Sequence, residues 1–85
     1  MAKNKDSLTI SVTGTPTEVD VNPNQPLHVV IPKALAQTHN VGRPPEDWEL
    51  RDEHGVLLDL DRKLESFGFA QGTVLYLSLR AGIGG

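Results

Sequence analysis

Cysteine is absent from the 85 residues, which excludes disulfides, thiolate metal ligands and a cysteine nucleophile. No apolar run approaches the length of a membrane span, and the polar start Met1-Ala-Lys-Asn-Lys-Asp6 is no signal peptide, so a cytoplasmic location without membrane association is the default expectation. Positive charge is in deficit as well. Eight Lys and Arg stand against eleven Asp and Glu, for a net charge of −3, and they form no basic stripe. Nucleic acid is therefore not an expected partner. His28, His39 and His54 have no metal-like spacing, so neither a metal nor a cofactor is expected, and no catalytic role falls to them. The acidic residues between 46 and 65 read as a solvated rim rather than as a general acid and base. No internal repeat is apparent.

What remains is enough for one small domain. A hydrophobic fraction of 38% suits a globule and is too high for a disordered chain. Residues 1–7 are polar and read as a flexible leader, followed by a folded body over 8–79 and a flexible tail over 80–85. Leu8, Ile10 and Val12 alternate with Thr9, Ser11 and Thr13, the period of a half-buried strand. Gly14-Thr-Pro16 reads as a turn and Val19 and Val21 as the inward residues of a second strand, making a hairpin. A helix follows, with Asn24 as its cap and Leu27, Val30, Ile31, Ala34, Leu35 and Thr38 on one side. Pro32 inside it predicts a kink or a wide first turn, and Asn40-Val-Gly42 predicts its end. Trp48 and Leu50 mark a third strand, Asp52–Gly55 a turn, and Val56-Leu57-Leu58 a short fourth strand. Leu64, Phe67 and Phe69 form a compact segment, one turn of helix under the sheet, and Gln71-Gly72 turns into the last strand. Trp48, Leu57, Phe67 and Phe69 are all expected in the core. The order ββαββ, a helical turn, then β predicts an α+β protein of the β-grasp type. Its mixed sheet has about five strands, with the first and last side by side.

The closing stretch carries the functional signal. Leu75, Leu77 and Leu79 alternate with Tyr76, Ser78 and Arg80, a strand with one apolar face. It gives way to Gly82-Ile-Gly-Gly85, in which three of four residues are glycine and resist fixation in a regular element. Gly84 and Gly85 leave a carboxylate with no side chain beside it, a shape that fits a narrow channel and nucleotide-assisted activation. A frayed, glycine-rich end is the alternative.

Several phrases resemble ubiquitin in one consistent order: Val19-Asp-Val-Asn-Pro23, Gly42-Arg-Pro-Pro-Glu46, Arg62-Lys-Leu-Glu-Ser-Phe-Gly-Phe69, Leu75-Tyr-Leu-Ser-Leu-Arg80 and the final Gly84-Gly85. Gly42–Asp52 and Leu77–Gly85 look more narrowly like a family of small bacterial ubiquitin-like proteins. That resemblance implies E1-like, E2-like and JAB-type metalloprotease partners. It implies a modifier whose Gly85 carboxylate is adenylated, carried as a thioester and joined to a target protein. It also implies a protein that is not itself an enzyme. The departures are specific. The helix region is about three residues longer than ubiquitin's, the tail has one residue more after Arg80, and Gln71 replaces a chain-forming lysine. The counterparts of ubiquitin's apolar recognition patch look like Arg51, Tyr76 and Ser78, so receptors that dock there are not expected to bind.

The candidate site residues follow. Gly84 and Gly85 are the conjugation end. Arg51, Tyr76 and Ser78 form a possible partner face, Arg80 a charge for an activating enzyme, and Ile83 an apolar anchor. Lys3, Lys5, Lys33 and Lys63 are the side-chain amines open to self-conjugation. Two other functions share these features. One is a sulfur carrier with a thiocarboxylate at Gly85; the other is an adaptor that binds by its sheet alone.

Overall fold

The structure, a computed structural model, describes residues 6–70 and 72–80. The sequence readings of the leader up to Lys5, of Gln71 and of Ala81–Gly85 fall outside them. Strands β1 (Asp6–Val12), β2 (Thr15–Val21), β3 (Trp48–Arg51) and β4 (Val74–Leu79) form one sheet in the order β2-β1-β4-β3. The hairpin partners β1 and β2 are antiparallel, β1 and β4 are parallel, and β4 and β3 are antiparallel. The first and last strands thus lie side by side at the centre, as the β-grasp reading expects. The helix α1 (Val30–Gln37) crosses one face.

Period-2 alternation places the core. Leu8, Ile10 and Val12 of β1, Val19 of β2, Leu50 of β3, and Leu75 and Leu77 of β4 all point inward and are buried. Leu27, Val30, Ile31, Ala34 and Leu35 cover them from the helix side, and no polar side chain is buried among the described residues. The register is tight: Leu77 pairs with Val12 on one side and Leu50 on the other. A slip of one residue in β4 would turn Leu75 and Leu77 out to water, so burial itself specifies this register.

The hairpin turns at Thr13 and Gly14, with φ of 46° and 95°. Pro16 lies one residue inside β2, not in the turn. Its missing N–H is tolerated because β2 is an edge strand.

The helix start differs from expectation. Asn24 does not cap it; Asn22 Oδ1 instead accepts from the Asn24 N–H at 2.9 Å. The chain enters through a 3₁₀ turn, Leu27–Val29, and no side chain caps either segment. The Leu27 and His28 N–H groups donate to the carbonyls of Arg62 and Leu60, at 2.8 and 3.0 Å. A neighbouring loop satisfies the donors that a capping side chain otherwise would. Pro32 becomes the third residue of α1, within the first turn, where no intrahelical partner is needed for its N–H. The helix also stops earlier than Asn40–Gly42. His39 takes φ of 60°, while the His39 N–H reaches Ala36 O at 3.2 Å and the Asn40 N–H reaches Leu35 O at 2.8 Å. That bond pair is a Schellman stop, made here without glycine.

Val56–Leu58 is not a strand. It keeps one bridge, Arg51 to Leu57, and two backbone bonds, Leu58 N–H to Leu50 O at 2.9 Å and Asp52 N–H to Val56 O at 3.0 Å. Leu57 is 55% exposed and leaves the expected core, while Leu58 packs against it in part. The sheet therefore has four strands. A 3₁₀ turn over Leu64–Phe67 buries Leu64, as expected of the compact segment. Phe67 and Phe69 are only half-buried; their rings stack with centroids 5.0 Å apart, and the Arg62 guanidinium lies 4.4 Å from the Phe67 centroid.

Candidate functional site

Two surfaces surround the end of β4. The first is the outer face of the sheet. Cross-strand pairing sets Pro16, Ser11, Tyr76, Arg51 and Leu57 in one row across it, and Ser78 opposite Glu49 in the next. Arg51, Tyr76 and Ser78 are thus brought together. Tyr76 is 45% exposed.

Arg51 is not a free cation. Its Nε and Nη2 donate to Glu49 Oε2 at 3.0 and 2.8 Å, and its Nη1 donates to the Gly55 carbonyl at 3.0 Å. Charge-assisted bonds of this kind are stronger than neutral ones and hold the guanidinium between Glu49 and the Gly55 carbonyl. The face therefore presents a tyrosine ring beside a neutralised, immobilised ion pair. The adjoining turn is fastened by Asp52, whose Oδ1 accepts from the His54 and Val56 N–H groups at 2.8 and 3.0 Å. The bond from Val56 does most to hold its carboxyl below the ordinary value, aided by the His54 N–H and the charge of His54 and opposed by desolvation.

The second surface begins at Arg80. Its N–H extends the β3–β4 ladder by bonding to the Asp47 carbonyl at 2.9 Å. Its Nη1 donates to the Glu46 carbonyl at 3.2 Å. Arg80 lines a hollow with Trp48, Ile31 and Leu60 that does not include the Tyr76 row. Sequence reasoning placed Trp48 in the core, where it is, but missed its role as a wall of this hollow. The only local signal was a lone tryptophan directly after a charged turn.

Of the expected acceptor amines, Lys33 Nζ donates to the Asp20 carbonyl at 3.1 Å, and Lys63 is exposed at the entry to the Leu64–Phe67 turn. Lys3, Lys5, Ile83, Gly84 and Gly85 lie outside the described residues. Among the described residues, no group of three or more His, Asp or Glu is placed to hold a metal ion, and no helix is long and apolar enough to cross a membrane.

The fold is shared with known proteins. The ubiquitin of Caldiarchaeum subterraneum superposes with a TM-score of 0.73 and is 29% identical; the match covers 96% of this chain and all of that one (100%). A designed protein based on ubiquitin gives a TM-score of 0.75 at 27% identity, over 99% of both chains. A bacterial relative, the uncharacterized protein y4jI of Sinorhizobium fredii (strain NBRC 101917 / NGR234), is 54% identical over 81 residues. That match takes in 95% of this chain and 62% of the relative, so the chain spans less than two thirds of the relative's length. With this fold the chain is a ubiquitin-like protein. Its sequence matches, from residue 2 to residue 85, the family described as "Protein of Unknown function (DUF2604)", and the chain belongs to that family.

Proposed function

We propose that this chain is a cytoplasmic protein modifier of the ubiquitin type, activated at the carboxylate of Gly85. One observation carries the reading. On a ubiquitin-like fold, the central strand β4 ends at Leu79, Arg80 adds one bond to the Asp47 carbonyl, and Gly84-Gly85 follows within five residues of sequence. Extended, the span from Ala81 to Gly85 reaches roughly 17 Å, enough to enter a cleft in another protein while the body stays outside. Glycine at both final positions lets backbone lie against channel walls where a Cβ would collide.

The chemistry is acyl transfer. The carboxylate attacks the α-phosphate of ATP on an E1-like enzyme and releases pyrophosphate. A cysteine thiolate of the enzyme then displaces AMP to give a thioester, which passes to an E2-like cysteine and finally to a target nucleophile. A JAB-type metalloprotease would reverse the linkage or expose Gly85 by cleavage after it. Among the described acceptor lysines, Lys63 is exposed, while Lys33 donates to the Asp20 carbonyl.

The test uses the cognate enzymes. Intact mass of the native protein shows whether Gly85 carries a free carboxylate. Deleting Gly84-Gly85 should leave the melting temperature nearly unchanged and abolish adenylation and conjugation. Gly85→Ala should slow activation more than docking of the body. Mass spectrometry should find Gly85 joined to a target nucleophile. A thiocarboxylate without any protein adduct would instead make the chain a sulfur carrier. Full biological activity after loss of both glycines would leave only an adaptor.

A further inference from the structure

The two edges of the sheet are protected differently. Val56–Leu58 lies along β3, bonded through the Asp52 N–H to Val56 O at 3.0 Å and the Leu58 N–H to Leu50 O at 2.9 Å. Among the described residues, no segment pairs with the outer side of β2. A bare edge is a template for another strand, and the same strand of a second copy is the one always at hand.

The register shows which groups this edge offers. The two-residue turn Thr13-Gly14 makes Val12 and Thr15 a bonded pair, and bonded pairs recur at every second residue, Ile10 with Thr17 and Leu8 with Val19. β1 agrees, because its Thr9 N–H turns the other way, to the carbonyl of Thr73, as does the Thr13 N–H, to that of Leu77. Pro16, Glu18 and Asp20 therefore aim their backbone groups outward, and all three are exposed. Pro16 has no N–H to give. The Asp20 carbonyl already accepts from Lys33 Nζ of α1 at 3.1 Å. Glu18 has an intact backbone but carries a carboxylate, which accepts from Ser7 Oγ at 3.1 Å on the outer face.

These three features fall on one register. Two β2 strands meeting antiparallel about a twofold axis at Glu18 set Glu18 against its own copy and Pro16 against Asp20. The N–H missing from Pro16 is then the donor that would serve the Asp20 carbonyl of the other copy, and Lys33 occupies that carbonyl. Like charges meet at the centre, where cross-strand neighbours are closest. Moving the axis to residue 17 or 19 pairs Glu18 with Pro16 or with Asp20, so each shifted register still meets one of the obstacles. We propose that Pro16, Glu18 and Lys33 together close the β2 edge to a second copy of this chain and hold the protein monomeric. The device is independent of the conjugation reading, since none of the three lies in the terminal segment.

The full chain and two variants are compared by sedimentation over a concentration series, and hydrogen exchange of the amide at position 18 is followed by NMR. The wild type should be a monomer in which that amide exchanges fast. E18T/K33A changes only exposed side chains and should form a weak dimer. P16T/E18T/K33A also restores one donor on each side of the axis. Each restored bond is worth about fivefold, so its dimer should be roughly 25-fold tighter than that of the double variant. In both variants the amide at position 18 should become protected in step with dimer formation, while a cooperative melting curve shows that the fold persists. A wild type that dimerises with this amide protected would overturn the proposal. So would a folded triple variant that stays monomeric, or association that leaves the amide at position 18 unprotected. If the triple variant fails to fold, the double variant decides alone, and a monomer up to its solubility limit overturns the proposal.

Discussion

Leu77 and Tyr76 are neighbours in sequence on opposite faces of the sheet, and replacing each with alanine tests the register of the central strand. Leu77 is 1% exposed and pairs with Val12 and Leu50 in the middle of the core. Leu77→Ala removes three carbon groups, roughly 2.4 kcal/mol of transfer free energy. The packed neighbours cannot fully close the gap, and the residual cavity raises the cost to about 3–4 kcal/mol. A domain of this length is stable by about 4–13 kcal/mol, so the variant stands near the edge of folding. Tyr76 is 45% exposed and pairs with an arginine already bound to Glu49. Its loss should cost no more than about 1 kcal/mol. In urea the slope for so small a protein is about 1 kcal/mol per molar, so the midpoint should drop by about 3–4 M for Leu77→Ala and by under about 1 M for Tyr76→Ala. Thermal midpoints should fall by at least about 12 °C and by a few degrees. Equal losses, or a larger one for Tyr76, would refute the placement of Leu77 inside and Tyr76 outside.

Other outcomes follow from single features. His39→Gly should raise stability by about 0.5–1 kcal/mol, read as a higher urea midpoint, because glycine adopts the positive φ of the helix stop without a steric penalty; a lower midpoint would contradict that stop. The Asp52 carboxyl is held below 3.8 by its backbone donors, so its contribution is present above the unfolded pKa and is lost as pH falls through the folded one. The stability advantage of the wild type over Asp52→Asn should therefore shrink below about pH 4, and an advantage that grows in acid would reverse the sign. Leu57→Ser should change stability by less than about 0.5 kcal/mol; a loss above about 2 kcal/mol would return Leu57 to the core. Because Arg51 is locked to Glu49 on the outer face, eukaryotic ubiquitin receptors that dock on an apolar patch should bind negligibly, and a titration giving micromolar affinity would show otherwise.

The readings that held rest on local periodicity. Leu8, Ile10 and Val12, and again Leu75 and Leu77, alternate with polar residues in a strand's period, and a half-buried strand needs no further information to place them. The Asp52–Gly55 turn was legible for a similar reason: aspartate binds backbone two and four residues on, and Gly55 takes φ of 80°. Val56–Leu58 misled because an apolar run states burial but not pairing. A strand needs a ladder along a partner edge, and here a single bridge at Leu57 forms with two bonds, Asp52 N–H to Val56 O and Leu58 N–H to Leu50 O.

By itself, the sequence determined the alternating strands, the apolar side of the helix and the diglycine that directs the functional proposal, because each is written in residues close together in the chain. The tertiary structure decided what depends on residues far apart. The helix begins as a 3₁₀ turn at Leu27 because carbonyls of Leu60 and Arg62, more than thirty residues away, take its first N–H groups. Arg51 loses its free charge because the fold of the turn brings Glu49 and the Gly55 carbonyl to it together. Trp48 is buried with no acceptor for its N–H among the described residues, and it shares one hollow with Ile31, Glu46 and Leu60, which no short stretch of sequence brings together. Backbone and side-chain polar groups must find partners wherever the fold brings them, and that constraint acts only once the distant segments have met.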